Sequence, residues 1–448
     1  MRITKLVNIK GDLFATGASF VGQTVIKLGS SLILTRILTP KDYGTLAILL
    51  SVVFIISLLS DIGFSISIVR SENGDRQEYL NTAWTIRIGR AFVNAAVLFL
   101  AAPIVASLYH AAALTAPLRV IAVWFVIDGF ESTAFPLAVR RKNSRVLMYT
   151  DVAGTFAASA LTIVYCYYSR DFWGMVYGTL FGRGVVVLIS HCFYRELKPR
   201  LQWDKASARE IFHLSRYIMP SSMVTIFLNQ YDKAVFLRMF DFNLLGVYSL
   251  ATNIAGPVES VITKASRMVL YPRCAHNFRL DKASFSLKYY LENARLFVAI
   301  LAIPAAVGGA AHLLITVLYD PRYAGAAMVL QAFMVRAAIL ALASPAEDML
   351  VATGESRLIL VGNIYRALWM VGASSLGYLL FGFAGFTYGI ALSTLPALVY
   401  YLWLQRKKGL LIARYEMYKV AFTCAIALSA YLGSSALMAL WHPGRFRL

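Results

Sequence analysis

The sequence contains few charged residues, and fewer of them are acidic than basic. Only 15% of its 448 residues are charged, whereas a soluble globular protein has about 25%. With 59% hydrophobic residues and a mean hydropathy of +0.64, the composition excludes a soluble globular chain. The 43 basic residues outnumber the 23 acidic ones, but they lie between and inside hydrophobic segments. Because no soluble basic domain is present, we expect no nucleic-acid partner.

Cysteines and catalytic motifs are also sparse. The four cysteines are far apart and form no CxxC pair, so they support neither a disulfide framework nor a metal site. A P-loop, an HExxH motif and a GxSxG nucleophile elbow are all absent from the sequence. No outer loop is long enough to form the catalytic face of a polymerase, ligase or glycosyltransferase. These absences predict a transporter without a cofactor rather than an enzyme.

Long hydrophobic runs dominate the rest of the chain. About 20 apolar residues span a bilayer as a helix. The first run is too long for a signal-peptide core and lacks a nearby cleavage motif, so we expect a retained helix. Thirteen segments qualify as spanning helices: Phe14–Leu38, Gly44–Val69, Ala83–Leu108, Val120–Val139, Val146–Tyr168, Phe172–Tyr194, His213–Phe240, Leu245–Leu270, Tyr289–Leu318, Tyr323–Ala352, Leu358–Phe381, Phe386–Leu404 and Val420–Trp441.

The loop charges predict the orientation of these helices. Loops on one side hold most of the loop Lys and Arg residues, including Arg140, Arg141, Lys142 and Arg145. Loops on the other side hold few. The positive-inside rule therefore predicts a cytoplasmic N-terminus.

The two halves of the chain resemble each other. Arg36 precedes Gly44 by eight residues, and Arg238 precedes Gly246 by the same interval. We therefore predict an all-α polytopic membrane protein with two six-helix lobes around a central cavity, related as parallel repeats, plus one or two C-terminal helices. The predicted parts are an N-terminal lobe (1–194), a cytoplasmic linker (195–212), a C-terminal lobe (213–404), and a basic loop with a further helix (405–448).

Basic residues inside the predicted helices are the candidate binding residues. A basic residue at a helix centre costs roughly 3 kcal/mol on insertion scales, so such residues usually face a bundle interior or an aqueous cavity. A cationic cavity predicts an anionic, lipid-associated ligand. The candidates are Lys27, Arg87, Arg90, Arg183, Lys264, Arg267, Arg295, Arg336 and Arg366.

Each candidate has a structural alternative. Snorkelling to the inner headgroups fits Arg267 well, but it does not fit Arg183 and Arg336, which are far from either helix end. Lys27 lies on a polar stripe of the first helix, and such a stripe also forms helix–helix interfaces. Intramembrane acids are candidate proton or sodium coupling sites, although pairing with a buried Arg is the alternative role: Asp61, Asp128, Glu131 and Glu259.

Four stretches carry a resemblance to a known family: LTRILTPKDYGTLAI (Leu34–Ile48), DIGFSISIVR (Asp61–Arg70), QYDKAVFLR (Gln230–Arg238) and LLGVYSLA (Leu244–Ala251). The chain resembles the polysaccharide transport family of the multidrug/oligosaccharidyl-lipid/polysaccharide (MOP) flippase superfamily, the Wzx-type O-unit flippases. The R-x-L-x-P-x-x-Y/F-G stretch from Arg36 to Gly44 is fairly specific for this family. Members typically have twelve or fourteen helices, so a count of twelve, thirteen or fourteen stays open.

The resemblance implies a flippase in the bacterial inner membrane. It would move undecaprenyl-pyrophosphate-linked oligosaccharide units to the periplasmic leaflet by alternating access, for O-antigen or exopolysaccharide synthesis. It further implies a cationic lumen for the pyrophosphate, H+ or Na+ coupling, contact with membrane lipids, and the polysaccharide polymerase and chain-length machinery as partners. The alternatives are a lipid II flippase, a drug/cation antiporter of the same superfamily, and, less favoured, a membrane glycan polymerase or ligase.

Overall fold

The computed structural model describes residues 9–141, 144–193, 199–280, 285–354 and 356–441. Within these ranges the regular structure is entirely helical. Ten helical stretches among the described residues are long and apolar enough to cross a membrane. The prediction of a multi-pass, all-α membrane protein is confirmed. Lys142, the first residues of the predicted linker and residues 442–448 of the C-terminal part lie outside the described residues.

The chain divides into two compact units, Met1–Gly246 and Val247–Leu448. This division lies after the predicted linker (195–212), because the helix that follows the linker packs against helices of the first unit. The boundaries of the two six-helix lobes, 1–194 and 213–404, stay a prediction. The helices of the first unit are α1 (Ile9–Ile37), α2 (Pro40–Leu59), α3 (Phe64–Arg70), α4 (Gln77–Leu108), α5 (Thr115–Ile121), α6 (Val123–Gly129), α7 (Ala134–Arg140), α8 (Ser144–Ser169), α9 (Trp173–Phe193) and α10 (Lys205–Met239).

The second unit begins within the first turns of α11. A π-helical turn, Ser266–Leu270, joins α11 to α12. The remaining helices are α11 (Phe242–Ala265), α12 (Tyr271–Leu280), α13 (Phe285–Gly309), α14 (Ala311–Leu318), α15 (Ala326–Ala352), α16 (Ser356–Ala391), α17 (Leu395–Lys407) and α18 (Ala413–Trp441). Gly382, with φ of +58°, interrupts α16, so the predicted segments Leu358–Phe381 and Phe386–Leu404 run on either side of a turn.

Two predicted spanning segments of the first unit are each broken into shorter helices. Gly44–Val69 forms α2 and α3, separated by residues 60–63, and Gly63, with φ of +65°, immediately precedes α3. Val120–Val139 forms α5, α6 and α7, with irregular backbone between Gly129 and Ala134. Apolar residues continue on both sides of each break, which is why the length of the hydrophobic runs indicated continuous helices.

Close packing of α8 against α9 depends on a row of glycines. Gly174, Gly178 and Gly182 recur every four residues and therefore share one face of α9. A Cβ at Gly178 would collide with Thr162, and a Cβ at Gly182 would lie 2.5 Å from the Cβ of Ala158. Small residues let helix backbones approach closely in a membrane, so α8 and α9 pack closely along this face.

The two glycines of the sequence echo occupy equivalent places. Gly44 is the fifth residue of α2, and Gly246 is the fifth residue of α11. A Cβ at Gly44 would collide with the carbonyl oxygen of Phe242, and a Cβ at Gly246 would collide with that of Pro40. Each glycine thus permits the close approach of the other segment. The superposition of two six-helix lobes stays a prediction.

Candidate functional site: charged networks in the two units

The break between α2 and α3 is held by polar contacts. Asp61 Oδ1 accepts a hydrogen bond from the Gly63 N–H at 2.9 Å. Arg90 Nη1 donates to the Ser60 carbonyl at 3.2 Å, and Asn94 Nδ2 donates to the Ser60 hydroxyl at 2.8 Å. Backbone groups freed by a break in a membrane helix must be satisfied by other protein groups, and α4 supplies some of them here.

The break between α6 and α7 is held in a similar way. The Ser132 N–H donates to the hydroxyl of Ser190 on α9 at 3.0 Å. A ring nitrogen of His191, also on α9, lies 2.8 Å from the Phe130 carbonyl oxygen. The break ends α6 immediately after Asp128 and leaves Glu131 in the irregular segment, so both carboxylates sit at an interruption of the helix.

These two carboxylates form a network with two arginines from neighbouring helices. Arg87 on α4 lies 3.2 Å from Asp128 and also pairs with Glu131. Arg183 on α9 pairs with the same two carboxylates. The side chain of Arg87 is only 6% exposed, and that of Glu131 only 9%. Buried charges persist when they are paired and hydrogen-bonded, and each member of this network has two partners of opposite sign.

The guanidinium groups of Arg87 and Arg183 each lie over an aromatic ring. The Arg87 guanidinium carbon lies 4.8 Å from the ring centroid of Phe64, at the start of α3. The Arg183 guanidinium carbon lies 5.5 Å from the centroid of Trp124 on α6. Cation–π attraction adds to the ion pairs and helps to orient the guanidinium groups.

A cavity of about 750 Å³ opens onto this network within the first unit. Its charged lining consists of four arginines and four carboxylates, so its formal charge is balanced. This balance arises because the arginine-bearing helices of the first unit face helices that carry carboxylates. The cationic central cavity between the two lobes stays a prediction. The charged lining residues are Arg70, Arg87, Arg90, Arg183, Asp61, Asp128, Glu131 and Asp151.

The second unit contains a separate arginine network. Arg336 on α15 forms a bidentate ion pair with Glu259 on α11, with Nε and Nη2 each 2.8 Å from a carboxylate oxygen. Arg366 on α16 lies within electrostatic range of Arg336, Glu259 and Glu347. Its buried Nε has no hydrogen-bond acceptor in the part of the chain that the structure describes. The guanidinium groups of Arg336 and Arg366 therefore both lie near the carboxylate of Glu259.

Four of the other predicted binding residues are exposed. Lys27, Lys264 and Arg295 are exposed on α1, α11 and α13. Arg267 is 70% exposed and lies 3.7 Å from Glu347, which suits the snorkelling alternative. Of the predicted acids, Asp128, Glu131 and Glu259 are ion-pair partners of buried or half-buried arginines, and Asp61 lies 3.7 Å from Arg90.

The sequence-based prediction missed residues that build these sites. Trp124 and Phe64 were not singled out, although Trp124 precedes Asp128 by one helical turn, a spacing visible in the sequence. The buried contact from the Ser266 hydroxyl to Asp348 was also missed, and no local signal joins two residues so far apart. Among the described residues, no three His, Cys, Asp or Glu side chains are close enough to hold a metal ion.

The chain is similar in sequence to known proteins. A family described as polysaccharide biosynthesis protein matches residues 33–328, which is more than half of the chain. The chain belongs to this family. The predicted resemblance to the polysaccharide transport family of the MOP superfamily is confirmed.

Two known proteins are similar to the chain over most of its length. The chain is 21% identical to the lipopolysaccharide biosynthesis protein WzxC of Escherichia coli (strain K12), over 82% of this chain and 76% of that protein. It is 23% identical to the succinoglycan biosynthesis transport protein ExoT of Rhizobium meliloti (strain 1021), over 84% of this chain and 76% of ExoT.

Solved structures share the fold of this family member. The lipid II flippase MurJ, in an inward closed conformation, matches with a TM-score of 0.70 and 10% identity, over 97% of this chain and 99% of MurJ. An inward-facing multidrug resistance MATE family transporter of the MOP superfamily matches with a TM-score of 0.60 and 17% identity, over 87% of this chain and 95% of its own. These matches confirm the predicted two-lobe, all-α fold class.

Proposed function

We propose that the protein is a flippase that moves undecaprenyl-pyrophosphate-linked oligosaccharide units from the cytoplasmic to the periplasmic leaflet of the bacterial inner membrane. The cavity of the first unit carries this proposal, because charged side chains line an open space among helices apolar enough to cross a membrane. Charged residues inside a bilayer have a high free-energy cost, and they commonly mark substrate pathways. The family relatives, named for lipopolysaccharide biosynthesis and succinoglycan transport, support a glycan-bearing substrate.

The phosphate-binding part of the proposal rests on the second unit. The buried Nε of Arg366 is a donor with no acceptor among the described residues, and Arg336 is its cationic neighbour. Guanidinium groups bind phosphate oxygens through charge-assisted, bidentate hydrogen bonds. We infer that Arg366 and Arg336 attract the pyrophosphate. The attraction must stay modest, because a carrier that binds too tightly cannot release its cargo.

Coupling to an H+ or Na+ gradient belongs to the same proposal. Four carboxylates contact or approach arginines: Asp61, Asp128, Glu131 and Glu259. A change in the charge of these carboxylates would change the strength of their ion pairs with the arginines. We further propose a cytoplasmic N-terminus, no catalytic step and no bound cofactor. The polysaccharide polymerase and chain-length machinery are the proposed protein partners.

The test is translocation by the full-length protein in proteoliposomes that contain the lipid-linked oligosaccharide of the host. A glycosidase that cannot cross the bilayer reports the fraction of glycan that has reached the outer leaflet. We expect wild-type protein to make inner-leaflet substrate accessible within minutes and Arg366→Ala to slow this strongly, with Arg366→Lys intermediate. No gain over protein-free vesicles would contradict the proposal. Translocation of lipid II in place of the host unit would favour the lipid II flippase alternative.

A further inference from the structure

Trp124 is an aromatic residue in the lining of the cavity of the first unit. The residue lies on α6, one turn before Asp128, and lines the cavity while remaining partly exposed. The neighbouring ring of Phe125 is buried and packs edge-on against Trp124, with centroids 5.6 Å apart. The Arg183 guanidinium lies over one face of the Trp124 ring, 5.5 Å from its centroid. The indole is therefore held in place from two directions while it still lines the open space.

The charge balance of this cavity disfavours a phosphate group. Four carboxylates line it together with four arginines, and both carboxylates of the central network already pair with Arg87 and Arg183. A pyrophosphate would have to displace these carboxylates from the arginines and then remain close to them. Like charges that lie close together without compensation are costly. The balanced lining instead favours an uncharged polar ligand.

The lining also offers donors and acceptors side by side. Asp61 and Arg90 lie 3.7 Å apart, and the exposed Ser65 lines the same cavity. Carboxylates only accept hydrogen bonds and guanidinium groups only donate them, whereas a hydroxyl group does both. A ligand rich in hydroxyl groups satisfies both kinds of wall residue without bringing a charge. The cavity volume of about 750 Å³ lies within the usual range for small-molecule sites.

We propose that the cavity of the first unit binds a sugar ring of the transported glycan, with Trp124 as the surface on which the ring stacks. The C–H groups on one face of a pyranose carry partial positive charge and pack against the negative face of an indole. Trp124 is thereby a specificity-determining residue, and the paired charges around it bind hydroxyl groups. This inference rests on the proposed function, since it names the part of that substrate which the cavity recognises.

The test uses the purified full-length protein in detergent and two probes. One is the phosphate-free repeat oligosaccharide released from the host polymer, and the other is inorganic pyrophosphate. Saturation-transfer NMR with titration measures the affinity for each. We expect Trp124→Ala to weaken oligosaccharide binding about tenfold, or about 1.4 kcal/mol, and Trp124→Phe to weaken it less. Pyrophosphate should not compete with the oligosaccharide.

Trp84→Phe is the matched control. Trp84 belongs to the same unit and packs edge-on against His191, with centroids 6.4 Å apart, but it does not line the cavity. Its replacement should leave oligosaccharide affinity unchanged. Unchanged affinity in Trp124→Ala, competition by pyrophosphate, or no oligosaccharide binding by the wild type would each overturn the inference.

The translocation assay separates this inference from the proposed function. If wild-type protein translocates the lipid-linked unit while Trp124→Ala keeps full oligosaccharide affinity, the sugar site is wrong and the flippase proposal stands. If wild-type protein does not translocate the unit, the flippase proposal fails whatever the oligosaccharide affinity is.

Discussion

Arg336 and Glu259 form a two-point ion pair between α15 and α11, with both N–O distances at 2.8 Å. The Arg336 guanidinium also lies 4.3 Å from the ring centroid of Phe333, one turn earlier on α15. Both charged side chains are less than one-fifth exposed. A pair with this geometry fixes the relative position of two helices. It neutralises Arg336, whereas the Nε of the neighbouring Arg366 has no acceptor among the residues that the structure describes.

Breaking this pair should destabilise the second unit. Glu259→Ala leaves Arg336 beside Arg366 without the carboxylate that neutralises it, which we expect to cost roughly 3 kcal/mol. The double variant Glu259→Ala/Arg336→Ala should be less destabilised than the sum of the two single variants. Thermal unfolding in detergent measures all three. Additive effects would show that the two residues do not interact in the folded protein.

Arg183 should be required for transport. Arg183→Ala leaves Asp128 and Glu131 with Arg87 as the remaining partner of the central network, so polymer export should be lost. Arg183→Lys should retain partial export, because an ammonium group keeps the charge but cannot reproduce the planar contacts of a guanidinium. Export is measured in a deletion strain at matched membrane expression.

Arg322→Ala is the control for this arginine series. Arg322 is 43% exposed and pairs with Asp320, two residues earlier in the chain, so its loss should leave export unchanged. Normal export by both Arg183→Ala and Arg336→Ala would show that the deep arginines are structural and would rule out their part in binding.

Two glycines of α9 should respond differently to a larger side chain. Gly178→Leu forces a side chain against Thr162 and the backbone of α8, which should cost roughly 1–3 kcal/mol or prevent folding. Gly184→Leu, on the same helix, enters open space because no atom lies within 4 Å of its added Cβ. Size-exclusion profiles and melting temperatures in detergent compare the two variants. Equal behaviour would contradict the close α8–α9 packing.

Cysteine labelling tests the predicted orientation. Cys192 and Cys424 are exposed and must first be replaced, because they would react themselves. Leu201→Cys then places a thiol at a position that is 71% exposed and predicted to be cytoplasmic. Lys41→Cys places one at an exposed position predicted to be periplasmic. A membrane-impermeant maleimide should label residue 41 in intact cells and residue 201 only after lysis, and the reverse pattern would invert the topology.

Local sequence determined the membrane class of this protein. Hydrophobic runs of sufficient length require helices in a bilayer, because no water is present to satisfy the backbone. The thirteen predicted segments accordingly fall on helices of the structure, including α18 near the C-terminus. Charged side chains are costly inside a membrane and therefore rare there. Their positions within hydrophobic runs were thus enough to single out four arginines: Arg87, Arg183, Arg336 and Arg366.

The tertiary structure decided what surrounds those arginines. Arg87 and Arg183 are far apart in sequence, yet both pair with Asp128 and Glu131, because α4, α6 and α9 pack together. Hydropathy reports the cost of burying a charge along the chain, but the partner that compensates it comes from another helix. The cavity beside Trp124 and its balanced charge depend on such contacts between distant residues, which local patterns do not encode.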